Sequence, residues 1–556
     1  MHRPTLPIQG LPVWARLNGV SFHNITVADT EDKGYGVVSN TELNASQDTA
    51  DGPALISVPH ALILNAAAVE EYAKEDKSFK QLLDAVGRRS SRTDVLLFLL
   101  VQSVLAAHPN HAGSLGVSTP WTEYIKFLPE TVLVPTLWTE NERLLLRGTS
   151  LETALDAKIS SLDAELGLVQ AKSANIAAWN DLLWHGIVRG KEVEDASPVV
   201  FTDWIRLDAL YRSRCLELPR SGESMVPCID MINHAAEPSA YYEENAQDEV
   251  VLLPRPGVAV AQGSEITISY GAGKSAAEML FSYGFIDPSS TTDSLVLPLA
   301  PFPDDPLAKA KLVAFGQAPQ IHVARGPPPS QGIGRAENDE QQGQRQEEDG
   351  DSDIHWTSPF AYLMCLNEED GLEFRILQQT DGAQQLCVFW QDEDVTERTG
   401  EFEALVRQHP LAAVFRLRVV AVVQEALQTQ LERLGETETT ASAFSMGLEN
   451  SSASTSISTP VAGVADNVAA DPTRAAARGG GGGGVVGSQL RTECVRAAAA
   501  LRELEMNILE GCIGKLENEK NALLGDDNVV AYLGLAEVTE SGQADDETSN
   551  DAGDFS

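Results

Sequence analysis

Two stretches of strand-type patterning, residues 12–65 and 225–290, are separated by a long stretch of helical patterning over 68–215. This interruption constrains the fold more than any single motif, because a sheet whose strands come from both sides must accommodate a helical insert. In the first stretch, Gly34-Tyr35-Gly36-Val37-Val38 reads as a tight turn entering a strand, and Ala54-Leu55-Ile56-Ser57-Val58-Pro59 as a second apolar strand. In the last, Glu265-Ile266-Thr267-Ile268-Ser269-Tyr270 alternates with period two, as a half-buried strand does. Val250-Val251-Leu252-Leu253 and Val258-Ala259-Val260 are β-branched runs broken by Pro254, Pro256 and Gly257. Between them, Thr93-Asp94 is placed to cap the run Val95–Val101, and Thr139-Glu140-Asn141-Glu142 has the form of a capping box. The expected class is α+β.

Beyond residue 300 the patterning is helical again. Val420, Val423, Leu427, Leu431 and Leu434 recur at helical spacing, as do Leu501, Leu504, Ile508, Cys512 and Leu516. Residues 326–353 combine three prolines with Gln and acids, and 436–489 include six consecutive glycines, 479–484. Both are expected to be disordered insertions, as is an acidic tail over 537–556. The expected domains are 12–290 and a helical one over 295–525, within the range for a chain of 556 residues.

Charge and cysteine content narrow the class. The formal net charge is −41, and the runs 337–353 and 537–556 account for 14 of those charges. The remainder is still acidic, which argues against a phosphate-backbone partner. No run of eighteen apolar residues and no secretory pattern at the N-terminus is visible, so neither a membrane span nor export is expected. The six cysteines are scattered without a C-x-x-C pair; no metal site is expected, and a reducing compartment, cytoplasm and/or nucleus, fits. Gly271-Ala272-Gly273-Lys274-Ser275 ends like a phosphate-binding loop, but Ile268 stands where that loop requires its first glycine.

Three short motifs follow in order: Asp230-Met231-Ile232-Asn233-His234, Ser269-Tyr270-Gly271 and Tyr283-Gly284-Phe285. With Trp121-Thr122-Glu123-Tyr124, Leu128-Pro129, Leu146-Arg147-Gly148-Thr149 and Tyr211-Arg212-Ser213-Arg214, they resemble SET-domain protein methyltransferases of the Rubisco large-subunit methyltransferase-like branch. In that branch a helical insert splits the SET domain, and a helical substrate-binding domain follows. The resemblance implies S-adenosylmethionine as cofactor. It places Gly34, Tyr35, Gly36, Arg214, Asn233, His234, Tyr283 and Phe285 at the cofactor, Tyr270 in catalysis, and Asp230 and Tyr242 at the substrate. Lys33 departs from the acidic residue that related enzymes often carry.

The residue chemistry agrees. Glycines allow close backbone approach, an Asn amide can hold a zwitterion, and an arginine suits a carboxylate. A lysine amine, with an ordinary pKa of about 10.4, must lose a proton before attacking a methyl group, and a narrow apolar channel favours that loss. A tyrosine hydroxyl can hold the amine in line. The reading is therefore a protein-lysine N-methyltransferase acting, as a monomer, on a protein substrate. Many histone-directed SET enzymes close the channel with a zinc-bound cysteine cluster after the position of Phe285; this chain has a helical domain there, so the resemblance implies a non-histone substrate. Protein-histidine methylation and a non-catalytic SET-fold binding module are the alternatives.

Overall fold

The computed structural model describes residues 4–30, 33–44, 54–108, 116–185, 187–188, 191–192, 198–271, 273–290, 293–326, 354–378, 384–453 and 490–534. The chain divides into two compact units. The first comprises Met1–Ala272, Glu278–Pro288 and Gly435–Leu501; the second comprises Gly273–Ala277, Ser289–Leu434 and Arg502–Ser556.

The first unit contains the interrupted sheet that the patterning predicts. The strands Ile25–Thr30 and Gly34–Ser39 form an antiparallel hairpin. Gly34–Ser39 then pairs antiparallel with Glu265–Ile268, from the far side of the helical insert. On the other edge of Glu265–Ile268 lies the two-residue strand Asn233–His234, parallel, with Asn233 opposite Thr267 and His234 opposite Ile268. A second four-stranded sheet has the order Ser21–Phe22, Ile56–Val58, Val250–Pro254, Ala240–Glu244.

The insert folds as helices, among them Ser91–Ala107, Leu151–Ser173 and Phe201–Arg214. Ser91–Ala107 is buried along nearly its whole length, from Thr93 to Ala106. Its cap is Ser90, whose hydroxyl accepts from the Thr93 N–H; the expected Thr93-Asp94 cap instead lies inside the first turn. Its buried leucines and valines contribute roughly 1.5–3 kcal/mol each relative to exposure. At Thr139 the capping box forms as expected, Thr139 N–H to Glu142 Oε2 at 2.9 Å and the reciprocal bond at 3.3 Å.

A polar cluster braces the insert internally and ties it to the helix Ala276–Tyr283. The Asp208 carboxylate, fully buried, takes Arg92 Nη1 at 2.6 Å, Lys158 Nζ at 2.9 Å and Arg212 Nη2 at 3.2 Å. Arg212 also donates to the Phe281 carbonyl, and its guanidinium lies 4.5 Å from the Phe281 ring centroid. The arginine thereby anchors the segment that ends in Tyr283-Gly284-Phe285.

The second unit holds more strand than the helical patterning predicts. Asp293–Pro298, Gln320–Arg325 and Ile354–Thr357 form one antiparallel three-stranded sheet, and Leu372–Gln378, Gln384–Trp390 and Glu393–Asp394 another. Leu295, Leu297, Ile321 and Val323 alternate into the core, a period-two signal carried by segments too short to stand out beside long helices. The expected helices are present: Val420, Val423, Leu427 and Leu434 share a core with Ile508, Leu509, Cys512 and Leu516. Lys311, 1% exposed, directs its ammonium to Asp305 Oδ2 and to the carbonyls of Met364 and Leu366 at 2.6, 3.0 and 2.7 Å. The helix Ala412–Ala453 runs past residue 436, where the sequence reading places the start of an insertion. The rest of that insertion, residues 454–489, lies outside the described residues, as do 327–353 and the tail 537–556.

Candidate functional site

The three motifs converge in the first unit. Asn233 and His234 sit on the parallel edge strand, Tyr270 follows the neighbouring strand by two residues, and Tyr283 ends the helix Ala276–Tyr283. The result is an aromatic cluster. The Tyr270 and Tyr283 ring centroids are 4.5 Å apart, His234 and Tyr270 5.3 Å, His234 and Phe285 6.0 Å, and Tyr270 and Phe285 6.3 Å. All four residues are half-buried, the His234 side chain being only 8% exposed.

Tyr270 is held at three points. Its hydroxyl donates to the Ile232 carbonyl at 2.7 Å, its N–H to His234 Nδ1 at 3.1 Å, and its carbonyl accepts from the Tyr283 hydroxyl at 3.4 Å. Because Nδ1 accepts, the neutral imidazole carries its hydrogen on Nε2, 3.3 Å from Asp287 Oδ2. Burial pushes the Tyr270 phenol well above its ordinary range, partly offset by the charge of Arg214. Burial, with a smaller contribution from nearby Tyr242, likewise pushes Tyr283 up to about 12. Both phenols therefore stay protonated near neutrality and act as hydrogen-bonding groups rather than bases.

Glycine permits the close approaches. Gly284 has φ +86°, and a Cβ there would lie 2.7 Å from the Leu133 carbonyl carbon. Gly36 is buried, and a Cβ there would lie 2.6 Å from Glu265 Oε1 and 2.8 Å from Asn233 Nδ2. Gly34, at φ +77°, faces open space, and the Tyr35 side chain is exposed while its carbonyl lies 3.4 Å from Asn233 Nδ2.

Asp230 departs from expectation. The sequence reading assigns it to the substrate, yet its side chain is 0% exposed. Tyr124 donates to Oδ1, and Arg214 Nη1 reaches Oδ2 at 3.5 Å and the Asp230 carbonyl at 2.7 Å. Burial raises its pKa, with Arg214 and Tyr124 working the other way. Asp230 therefore braces the turn before Asn233 and presents no oxygen to a substrate. The same Tyr124 hydroxyl accepts from the N–H of Cys228 at 2.8 Å, holding a non-glycine residue at φ +72°. Such a conformation costs about 1–2 kcal/mol, which the fully buried Tyr124 helps to offset. The Trp121-Thr122-Glu123-Tyr124 motif thus grips the turn that delivers Asn233. Tyr242 is half-buried against the same core, on the strand Ala240–Glu244.

Sequence reasoning gives no site role to Glu265, Tyr124 or Asp287. Glu265 accepts from Asn233 Nδ2 at 2.7 Å and pairs with Lys33 at 3.1 Å, so the lysine that departs from the related enzymes' acidic residue is itself engaged with a carboxylate. Period-two spacing marked Glu265 as a strand residue, but only strand pairing reveals its partners. Arg214 Nε is buried and has no hydrogen-bond partner among the described residues. An orphaned guanidinium N–H beside Asn233's turn is suited to an anionic group of a ligand. Among the described residues no cluster of His, Cys, Asp or Glu could hold a metal ion, and no helix is long and apolar enough to cross a membrane.

No family model matches the chain. It is 25% identical over 420 residues to SET domain-containing protein 8 of Schizosaccharomyces pombe, covering 74% of this chain and 84% of that protein. It is 26% identical over 317 residues to the chloroplastic ribulose-1,5 bisphosphate carboxylase/oxygenase large subunit N-methyltransferase of Pisum sativum, covering 54% and 57%. It is also 22% identical over 300 residues to the N-lysine methyltransferase setd6 of Xenopus tropicalis, covering 51% and 58%. The chain thus spans somewhat over half the length of these last two relatives. Among solved structures it is similar to Rubisco LSMT bound to AdoMet, with a TM-score of 0.56 and 18% identity over 97% of this chain and 98% of that one. The SET domain of LSMT bound to lysine and AdoHcy gives a TM-score of 0.56 at 17% identity, over 97% and 99%. These likenesses establish the α+β fold.

Proposed function

We propose that this chain, which has the SET fold of the Rubisco large-subunit methyltransferase-like branch, is an S-adenosylmethionine-dependent protein-lysine N-methyltransferase. One observation carries the chemistry: Tyr270 Oη has its hydrogen committed to the Ile232 carbonyl. A carbonyl can only accept, so the phenol must donate there, and its oxygen is left to accept from an incoming N–H. An amine held through one hydrogen keeps its lone pair free to point elsewhere, which in-line attack requires.

The cofactor reading assigns Asn233 and the orphaned Arg214 Nε to the two charges of the methionine end, and the turn Gly34-Tyr35-Gly36 to close backbone contact. His234 and Phe285 would flank the adenine. When bound, S-adenosylmethionine supplies an electrophilic methyl group on a sulfonium. Tyr270, Tyr283 and Tyr242 would line the passage for the amine, and their half-buried rings exclude water, which favours its neutral form. None of these phenols needs to ionise.

A non-histone protein is the proposed substrate. In support, the next cysteine after Phe285 is Cys365, so no cysteine cluster closes the site, and the second unit supplies a substantial independent fold. The proposal further holds that the chain works as a monomer in the cytoplasm and/or nucleus, without binding nucleic acid.

The test is incubation of the purified full chain with methyl-labelled S-adenosylmethionine and cell lysate, followed by mapping of the label. Methyl-lysine in a non-histone protein is the expected product. Label confined to histidine would replace the lysine reading, and cofactor binding without any transfer would favour a binding module.

A further inference from the structure

Glu265 opens the strand that separates Asn233 from the Gly34–Ser39 hairpin, and its carboxylate has two partners. Oε1 accepts from Asn233 Nδ2 at 2.7 Å, and Oε2 from Lys33 Nζ at 3.1 Å. The same Asn233 nitrogen lies 3.4 Å from the Tyr35 carbonyl and 3.4 Å from the Thr30 hydroxyl. That hydroxyl already donates to the Gly34 carbonyl at 2.6 Å, so toward Asn233 it accepts. Every group around this end of the amide is therefore an acceptor. The arrangement admits one orientation, with NH₂ toward the carboxylate and Oδ1 turned away. Rotating the amide by half a turn would set Oδ1 against Glu265 Oε1 and lose a charge-assisted hydrogen bond. Gly36 leaves the room, since any Cβ there would press on both side chains.

We infer that Glu265 is a positioning residue: it locks the Asn233 amide so that Oδ1 is offered to the α-ammonium of the cofactor. The inference rests on the reading of Asn233 as a cofactor contact. Lys33 occupies the second carboxylate oxygen, which holds Glu265 in place from the hairpin side. The consequence is selectivity for a ligand that carries an ammonium at that point.

Calorimetric titration of the full chain with S-adenosylhomocysteine, and with its analogue lacking only the α-amino group, tests this. The wild type is expected to prefer the amino-bearing ligand by roughly tenfold or more. Glu265→Ala should weaken that ligand by about tenfold while moving the deamino analogue less than about threefold, so the preference collapses. Glu265→Gln, which keeps an oxygen acceptor, should retain most of the preference. Should Glu265→Ala fail to fold, Glu265→Asp keeps the charge for Lys33 but withdraws the oxygen from Asn233, and is expected to lose the preference likewise. An equal loss for both ligands would reveal a merely structural role and overturn the inference, as would an undiminished preference. A wild type that binds both ligands equally would overturn the inference alone. One that binds neither would overturn the cofactor reading beneath it.

Discussion

The phenol of Tyr270 donates to the backbone carbonyl of Ile232, one residue before Asn233, so one hydrogen bond couples the proposed catalytic hydroxyl to the proposed cofactor strand. Tyr270→Phe removes that donor and the oxygen meant for the amine while preserving the ring and its packing on Tyr283. The expected result is a fall in kcat of about a hundredfold or more, because alignment of the nucleophile is lost. Cofactor affinity should change less than about threefold, since no contact assigned to the cofactor is removed. Single-turnover rates and calorimetry on the same preparation check both halves. A variant with undiminished rate would remove Tyr270 from the mechanism.

Asn233→Ala should act on the other side of that coupling. It deletes the amide that Glu265 orients and leaves the Glu265 Oε1 acceptor without this donor. The affinity for S-adenosylhomocysteine should fall by roughly ten- to a hundredfold, the range for a hydrogen bond involving a charged group. Folding should be little altered, because Asn233 is half-buried and its neighbours Ile232 and Ile268 carry the packing. Unchanged affinity in calorimetry would sink the assignment of Asn233 to the cofactor.

Gly284 separates Tyr283 from Phe285 and approaches the Leu133 backbone closely. Gly284→Ala meets two penalties at once, a positive φ and a Cβ placed 2.7 Å from the Leu133 carbonyl carbon. Neither can be relieved by rotating a side chain, because the obstacle is backbone. A destabilisation of about 1–3 kcal/mol is expected, read as a fall of several degrees in Tm. The shift must also move the rings of Tyr283 and Phe285, so activity should fall beyond what the folded fraction explains. A variant with wild-type Tm would show that this close approach is not obligatory.

These residues also show where sequence reading succeeds and where it stops. That Asn233, Tyr270 and Tyr283 come together in space is legible because each sits in a short motif whose order along the chain is distinctive, and the alternation through Glu265–Tyr270 marks the strand that joins them. Local patterning could not show what Asp230 does. Its role depends on Tyr124, 106 residues away, and on Arg214, which enclose the carboxylate and turn it from a substrate contact into a brace. Glu265 was hidden for the same reason: its partners Asn233 and Lys33 lie 32 and 232 residues away and meet it only through sheet pairing. The strands of the second unit were missed because Gln320–Arg325 and its neighbours are short and interleaved with stronger helical signals. Periodicity reports the face a residue occupies, whereas a polar contact is specified by register between distant segments.

The capping residue Glu142 offers a test in the pH dimension. Its carboxylate, 1% exposed, is held by Arg491 through the backbone N–H at 3.0 Å, Nε at 2.9 Å and Nη2 at 2.7 Å, besides the Thr139 N–H. Burial alone would raise its pKa, but the hydrogen bonds from Arg491 and Thr139 outweigh burial and bring it down to about 2 from an ordinary 4.5. A carboxyl whose folded pKa lies below its unfolded one stabilises the fold above the unfolded value. That contribution is lost as the pH falls through the folded value. Arg491 is about one-third exposed, so solvent screening reduces the effect to something on the order of 2 kcal/mol. Glu142→Gln should therefore be less stable than the wild type near neutrality. The difference should shrink steadily between about pH 4.5 and pH 2 as the wild type loses its charge. Urea unfolding followed by tryptophan fluorescence across that window measures it. A difference that stays constant with pH would mean that the Arg491 clasp acts through packing and not through the ionised carboxylate.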